Sequence, residues 1–142
     1  MKFEIKDCEF KDADYIVDRL VKYNLSKVPR TQEVDFIDIY KKIVNEDNKI
    51  IGGCLAKMYC WNVMYIDVLW IDETYRKQGV GMELLQEVEK IAIEKNCSLI
   101  HLDTFDFQAR DFYVKQGYDI FGILEDCPEN HCRYYLKKKL IV

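Results

Sequence analysis

The chain has 142 residues and a mass of 17.0 kDa. That is the length of one domain, and a fold of this size removes roughly 68–70% of the unfolded surface from water, so no disulfide or metal staple is required. With 49% apolar and 32% charged residues the composition excludes intrinsic disorder. The net charge of −4 provides no global attraction for nucleic acid, whose binding rests on neutralising phosphates.

No apolar run approaches the ~18 residues that span a bilayer. Residues 1–7 alternate charge and lack the apolar centre of a secretory leader. The expected location is the cytoplasm, where the six cysteines are thiols. Cys8, Cys54, Cys60 and Cys97 sit in or beside apolar stretches and read as small buried hydrophobes. Cys127, His131 and Cys132 lie close together, but there is no CxxC and no second ligand pair, so no metal is expected.

Residues 2–7 alternate as a short strand. Asp12 is placed to cap a helix in which Ile16, Val17, Leu20 and Val21 recur at helical spacing, and residues 25–34 read as a loop. Residues 36–44 fit a strand or a short helix; the polar turn Asn45-Glu46-Asp47-Asn48 and the apolar run after it favour a strand. Residues 49–59 and 61–71 follow as strands, with Gly52 and Gly53 marking a bulge. Residues 63–71 are nearly continuous in apolar type, the pattern of a strand buried on both faces, with Asp67 the exception.

Residues 79–95 turn helical, with Val80, Leu84, Leu85, Val88, Ile91 and Ala92 on one face. A strand at 98–105, a short helix at 108–115 stopped by Gly117, and strands at 118–124 and 133–140 complete the chain. The order predicts an α+β fold: a mixed, mostly antiparallel sheet of about seven strands with helices on its faces, in a single domain over residues 1–142.

The strongest chemical feature is Arg76-Lys77-Gln78-Gly79-Val80-Gly81, between the apolar strand and the helix. A helix start leaves N–H groups unpaired and carries partial positive charge, so it suits a phosphate. Gly79 and Gly81 permit close backbone approach, and Arg76 and Lys77 add charge at the rim. The bland alternative is a turn that merely starts a helix. The spacing is neither a P-loop, since no Lys-Ser or Lys-Thr follows, nor a dinucleotide fingerprint, since Leu84 stands where the third glycine would be.

The segment matches R/Q-x-x-G-x-G/A and resembles the pyrophosphate loop of the GNAT superfamily of acyl-CoA-dependent N-acetyltransferases. A second segment agrees: Asp106, Ala109, Tyr113, Lys115, Gly117 and Tyr118 match N-x-x-A-x-x-x-Y-x-K-x-G-F, with Asp106 replacing the Asn and Tyr118 the Phe. The resemblance covers roughly residues 41–140. It implies a GNAT-like sheet, with a second helix usual near 36–44, and transfer of acetyl from acetyl-CoA, as co-substrate and without a metal, to a primary amine by direct attack. The alternative is a CoA-binding sensor or interaction module that has lost turnover.

By the resemblance, Val68, Leu69 and Ile71 border the pantetheine arm. Arg76, Lys77, Gln78, Gly79, Val80 and Gly81 hold the pyrophosphate, and Asp106, Ala109, Phe112, Tyr113 and Lys115 flank the cofactor. Tyr113 is the implied donor to the leaving sulfur; alone it would read as a packing aromatic. A base is useful because an alkyl amine has a pKa near ~10. The carboxylates Asp67, Asp72, Glu73, Asp103 and Glu125 are candidates, with an acid pair acting through water favoured; burial of Asp67 would make it a better base, whereas a strand exposed on one face would leave it solvated. Trp61, Tyr65 and His131 are candidate substrate contacts, each with an ordinary packing or surface reading beside it. The expected partners are acetyl-CoA and a small-molecule or peptide amine, with neither nucleic acid nor membrane, and dimers are common among relatives.

Overall fold

The computed structural model describes residues 1–140. Six strands form one sheet in the order β1-β2-β3-β4-β6-β5. They are β1 Phe36–Val44, β2 Ile50–Tyr59, β3 Val63–Ile71, β4 Leu99–Phe105, β5 Asp119–Glu125 and β6 Cys132–Lys139. Three helices accompany them: α1 Phe10–Lys27, α2 Val80–Glu94 and α3 Arg110–Lys115. Every pair of neighbouring strands is antiparallel except β3 and β4, which are parallel and joined through α2. The fold class expected from the sequence is therefore present, with six strands in place of about seven.

The core lies on one face of the sheet. Leu84, Leu85, Val88 and Ala92 of α2 pack on Cys54, Ala56, Met58, Met64, Ile66, Ile100, Leu102 and Leu136. Burying each large side chain contributes about 1.5–3 kcal/mol. Tyr113 of α3 and Tyr118 join the same cluster. A polar clasp closes it: Tyr118 Oη donates to Glu89 Oε2 at 2.8 Å, and Lys138 Nζ reaches Glu89 Oε2 at 3.1 Å and the Gln116 carbonyl at 2.9 Å.

The opposite face is uncovered. Tyr40, Leu55, Val68, Trp70 and Phe121 are all exposed. This corrects the expectation that residues 63–71 are buried on both faces: Met64, Ile66 and Ile71 are buried, but Asp67, Val68 and Trp70 face solvent. No residue of α1 is buried.

Other expectations shift for local reasons. The 2–7 strand does not form: the segment pairs with neither edge strand of the sheet, and an alternating segment on its own is not stable as a strand. Residues 36–44 form a strand, as read from the residues, and not the second helix that the resemblance implied. Helix α1 starts two residues before Asp12, whose carboxylate accepts from Glu9 N at 3.1 Å, and it runs on through 25–27. The register shifts where β2 meets Val44, beside Gly52; a Cβ on Gly52 would lie 2.8 Å from Ile71 Cδ1 and 3.0 Å from the Trp70 carbonyl. Close approach of strands, as well as the bulge, requires that glycine.

Candidate active site

The site is built where the sheet forks. Pairing between β3 and β4 runs from Val63↔Leu99 to Ile66↔Leu102 and stops there, although β3 continues to Ile71 and β4 to Phe105. Beyond Ile66, β3 keeps its ladder to β2 but has no strand on its other side. An unpaired strand edge offers amide N–H and C=O groups to an extended amide-bearing ligand. Val68 and Leu69 lie on this edge. Asp67 is the extra residue of a bulge, since Leu55 pairs with Val68 and Ala56 with Ile66. It is exposed, so the burial that was to strengthen it as a base is absent.

The chain leaves β3 through a 3-10 turn at Glu73–Tyr75, capped by Asp72, which accepts from Thr74 N at 3.0 Å. That backbone hydrogen bond holds the Asp72 carboxyl below its usual range. Arg76 Nε donates to the Ile71 carbonyl at 2.9 Å, tying the loop to the strand end. Helix α2 then starts from Gly79, whose φ of 80° is left-handed and favours glycine. Gly81 is different: a Cβ there would make only ordinary contacts, 3.6 Å to Ile71 Cγ1 and to Phe112 Cζ. The protein's own packing does not demand Gly81.

Phe112 thus brings α3 against the first turn of α2. Helix α3 is positioned from the loop after β4. Gln108 Oε1 accepts from Phe105 N at 2.8 Å and from Thr104 Oγ1 at 3.2 Å, and Ala109 N donates to Thr104 Oγ1 at 3.4 Å. Thr104 is the one buried polar residue among those described, and this arrangement satisfies it. Tyr113 is 5% exposed and in edge contact with Phe112 and Tyr118; its hydroxyl makes none of the side-chain hydrogen bonds among the described residues, and since no fully buried polar atom there lacks a partner, the oxygen keeps some contact with solvent. Burial, with Cys54 and Asp103 nearby, pushes the phenol above its ordinary pKa. Cys54 is itself fully buried, and burial pushes its thiol up to about 12, so it is no nucleophile at neutral pH.

Asp103 is heavily engaged. Arg133 donates to its Oδ1 through Nε at 2.9 Å and through a second guanidinium nitrogen, and Tyr65 Oη donates to Oδ2 at 2.8 Å. Burial and Asp103, with Asp67 in support, push the Tyr65 phenol up to about 12. Asp106 is engaged too: its Oδ1 lies 2.9 Å from His131 Nδ1, and its Oδ2 accepts from Cys132 N at 2.9 Å, a bond that lowers its pKa. His131 also meets the Phe107 ring edge-on. Among the described residues no group of three His, Cys, Asp or Glu side chains is arranged to hold a metal.

The structure therefore gathers Val68, Leu69, Ile71, the 76–81 loop, Ala109, Phe112 and Tyr113 around the fork. Lys115 is exposed on the last turn of α3, and Glu125 is exposed at the end of β5. Trp61 lies at the other end of β3, where its Nε1 donates to the Val28 carbonyl at 2.8 Å. Three contributors were not read from the sequence: Gln108, Arg133, and Arg110, which stacks over Tyr134 and donates to its hydroxyl at 3.1 Å. Only strand alternation, which puts Arg133 opposite Phe105 and on the Asp103 face, carried any signal for them.

The site is thus a forked mixed sheet with a glycine-started helix at the fork and a buried tyrosine beside it. The chain belongs to the acetyltransferase (GNAT) family, whose model matches residues 13–118. An acetyltransferase from Bacillus cereus ATCC 14579 has the same fold at a TM-score of 0.86 and 39% identity, over 97% of this chain and 98% of its own. The blasticidin-S acetyltransferase of Streptomyces morookaense is 31% identical over 96 residues, 67% of this chain and 70% of its own length. A protein assigned as a streptothricin acetyltransferase from Bacillus anthracis str. Ames, solved in complex with acetyl coenzyme A, superposes with a TM-score of 0.65 at 27% identity, over 73% of this chain and 63% of its own.

Proposed function

We propose that the protein is one acetyltransferase domain that moves the acetyl group of acetyl-CoA onto a primary amine by direct attack. The observation that carries this reading is the contact between the start of α2 and α3: a Cβ on Gly81 would lie 3.6 Å from Phe112, the neighbour of Tyr113, so the glycine-bearing helix start and the tyrosine flank one fork. The open edge of β3 from Val68 to Ile71 suits the pantetheine amides, and the first turn of α2 with Arg76 and Lys77 suits the phosphates. Acetyl-CoA supplies an activated acyl group on a thiol leaving group.

In the overall exchange the C–S bond breaks, a C–N bond forms, and a proton of the amine ends on the thiol. Tyr113 holds its proton tightly, because its pKa lies above 10 while a thiol's is ~8.5. Complete transfer to the sulfur would therefore run uphill. The hydroxyl acts as a hydrogen-bond donor that stabilises the leaving sulfur. An ammonium acceptor must lose a proton before it attacks. Asp67, exposed in the bulge at the fork, fits a base working through water better than Asp103, whose oxygens are taken by Arg133 and Tyr65.

The antibiotic names borne by two relatives support a small, amine-bearing acceptor. Mass spectrometry for bound acetyl-CoA, followed by thiol release across a panel of polyamines, amino sugars, amino acids and amine antibiotics, tests the proposal. The expected outcome is stoichiometric binding and release that depends on one class of amine. Binding without release for any amine would favour a CoA-binding module, and no binding at millimolar concentration would remove the reading.

A further inference from the structure

We infer that two copies of this chain exchange residues 1–27, each laying helix α1 on the uncovered sheet face of the other. The first observation is area. The chain exposes 10580 Å², about 2,900 Å² more than the roughly 7,700 Å² of a compact monomer of its mass. A standard protein interface takes only ~800 Å² from each partner.

The excess has two visible sources. Along α1, Phe10, Ile16, Val17 and Leu20 are 93%, 57%, 54% and 60% exposed. They recur at helical spacing, with Asp14, Asp18 and Lys22 on the other side. Before α1, Phe3 and Ile5 are also exposed, in a segment that forms no strand and pairs with none. The second source is the face of the sheet opposite α2 and α3, where Tyr40, Leu55 and Val68 are exposed and no helix lies. One element carries an unpartnered apolar stripe and the other an unpartnered apolar face.

The link between them is held in place. Residues 28–35 are pinned to the β2–β3 turn: Trp61 Nε1 donates to the Val28 carbonyl, Thr31 N to the Cys60 carbonyl at 3.0 Å, Thr31 Oγ1 to Asn62 Oδ1 at 2.6 Å, and Asn62 N to Gln32 Oε1 at 3.1 Å. With its exit fixed, α1 leaves the body of its own chain and meets a second copy. A two-fold pair makes the exchange reciprocal and closed. It also gives residues 2–7 a free sheet edge on which their alternation can pair, since β1 and β5 each have only one neighbour.

Sedimentation velocity of the full chain at micromolar concentration, with limited trypsin digestion at Lys11, Arg19 and Lys22, tests this. The expected result is a particle of twice the chain mass whose α1 resists trypsin, and a Leu20→Asp variant that sediments as a monomer and is cut in α1 at least ten-fold faster. Because α1 adds nothing to its own chain's core, that variant keeps its sheet, which circular dichroism checks. A monomeric wild type, whether α1 is protected or not, overturns the inference. So does a dimer whose α1 is cut as fast as in the variant, or a Leu20→Asp protein that stays dimeric.

Discussion

The Tyr65 hydroxyl donates to Asp103 Oδ2 at 2.8 Å, joining β3 to β4 where their backbone ladder ends. Arg133 binds the other carboxylate oxygen, so one side chain ties β3, β4 and β6 together at the fork. Asp103 is in this account a positioning residue. Asp103→Asn should cost about 1–3 kcal/mol of stability, as loss of a partly buried charged hydrogen-bond partner does. The shape of the pH–rate curve should stay as in the wild type. Denaturant unfolding and a pH profile measure both, and loss of the acidic limb at unchanged stability would make Asp103 the base.

Gly81 and Gly79 should separate under substitution. Gly81→Ala meets only ordinary contacts in the fold, so the melting temperature should hold. Gly81→Glu places an anion over the helix start and should weaken acetyl-CoA binding at least ten-fold in calorimetry. Gly79→Ala must adopt φ near 80° and should cost about 1–2 kcal/mol of stability before any effect on binding. Equal affinity of wild type and Gly81→Glu would displace the phosphate site from α2.

Activity should rise with pH as the acceptor amine loses its proton. No descending limb from Tyr113 is expected below pH ~10, because burial moves that phenol upward from its ordinary value. A fall in kcat between pH 8 and 9 that disappears in Tyr113→Phe would contradict the upward shift.

His101 gives a second pH signal, on stability. Its Nε2 lies 2.7 Å from Tyr59 Oη, and burial lowers its pKa below 6.5. The unfolded chain therefore takes up a proton first as pH falls. This contribution is fully present above the unfolded value of ~6.5 and is lost as pH drops toward the folded value. The melting temperature should fall between pH 7 and 5.5, and less so in His101→Gln. An equal fall in both would assign the loss elsewhere.

What the sequence makes legible is local. Val80, Leu84, Leu85, Val88, Ile91 and Ala92 spell out the buried or half-buried face of α2, and Gly79 marks where that helix begins. The fork is less legible. Its two sides are 36 residues apart at Ile66 and Leu102, and where pairing stops depends on a register that no single segment encodes. Asp67 looks buried in an apolar run; only its pairing with β2 reveals the bulge that turns it to solvent. Arg133 and Asp103 meet across 30 residues, which alternation permits but does not specify. Residues 2–7 have the alternation of a strand but pair with neither free edge of their own sheet, because alternation does not specify a partner.

The most direct measurement compares wild type and Tyr113→Phe by calorimetric acetyl-CoA affinity and by thiol release with a productive amine. The account predicts an unchanged Kd and a kcat at least ten-fold lower, because the lost hydroxyl acts on the leaving sulfur alone. Full turnover by Tyr113→Phe at unchanged affinity would contradict it.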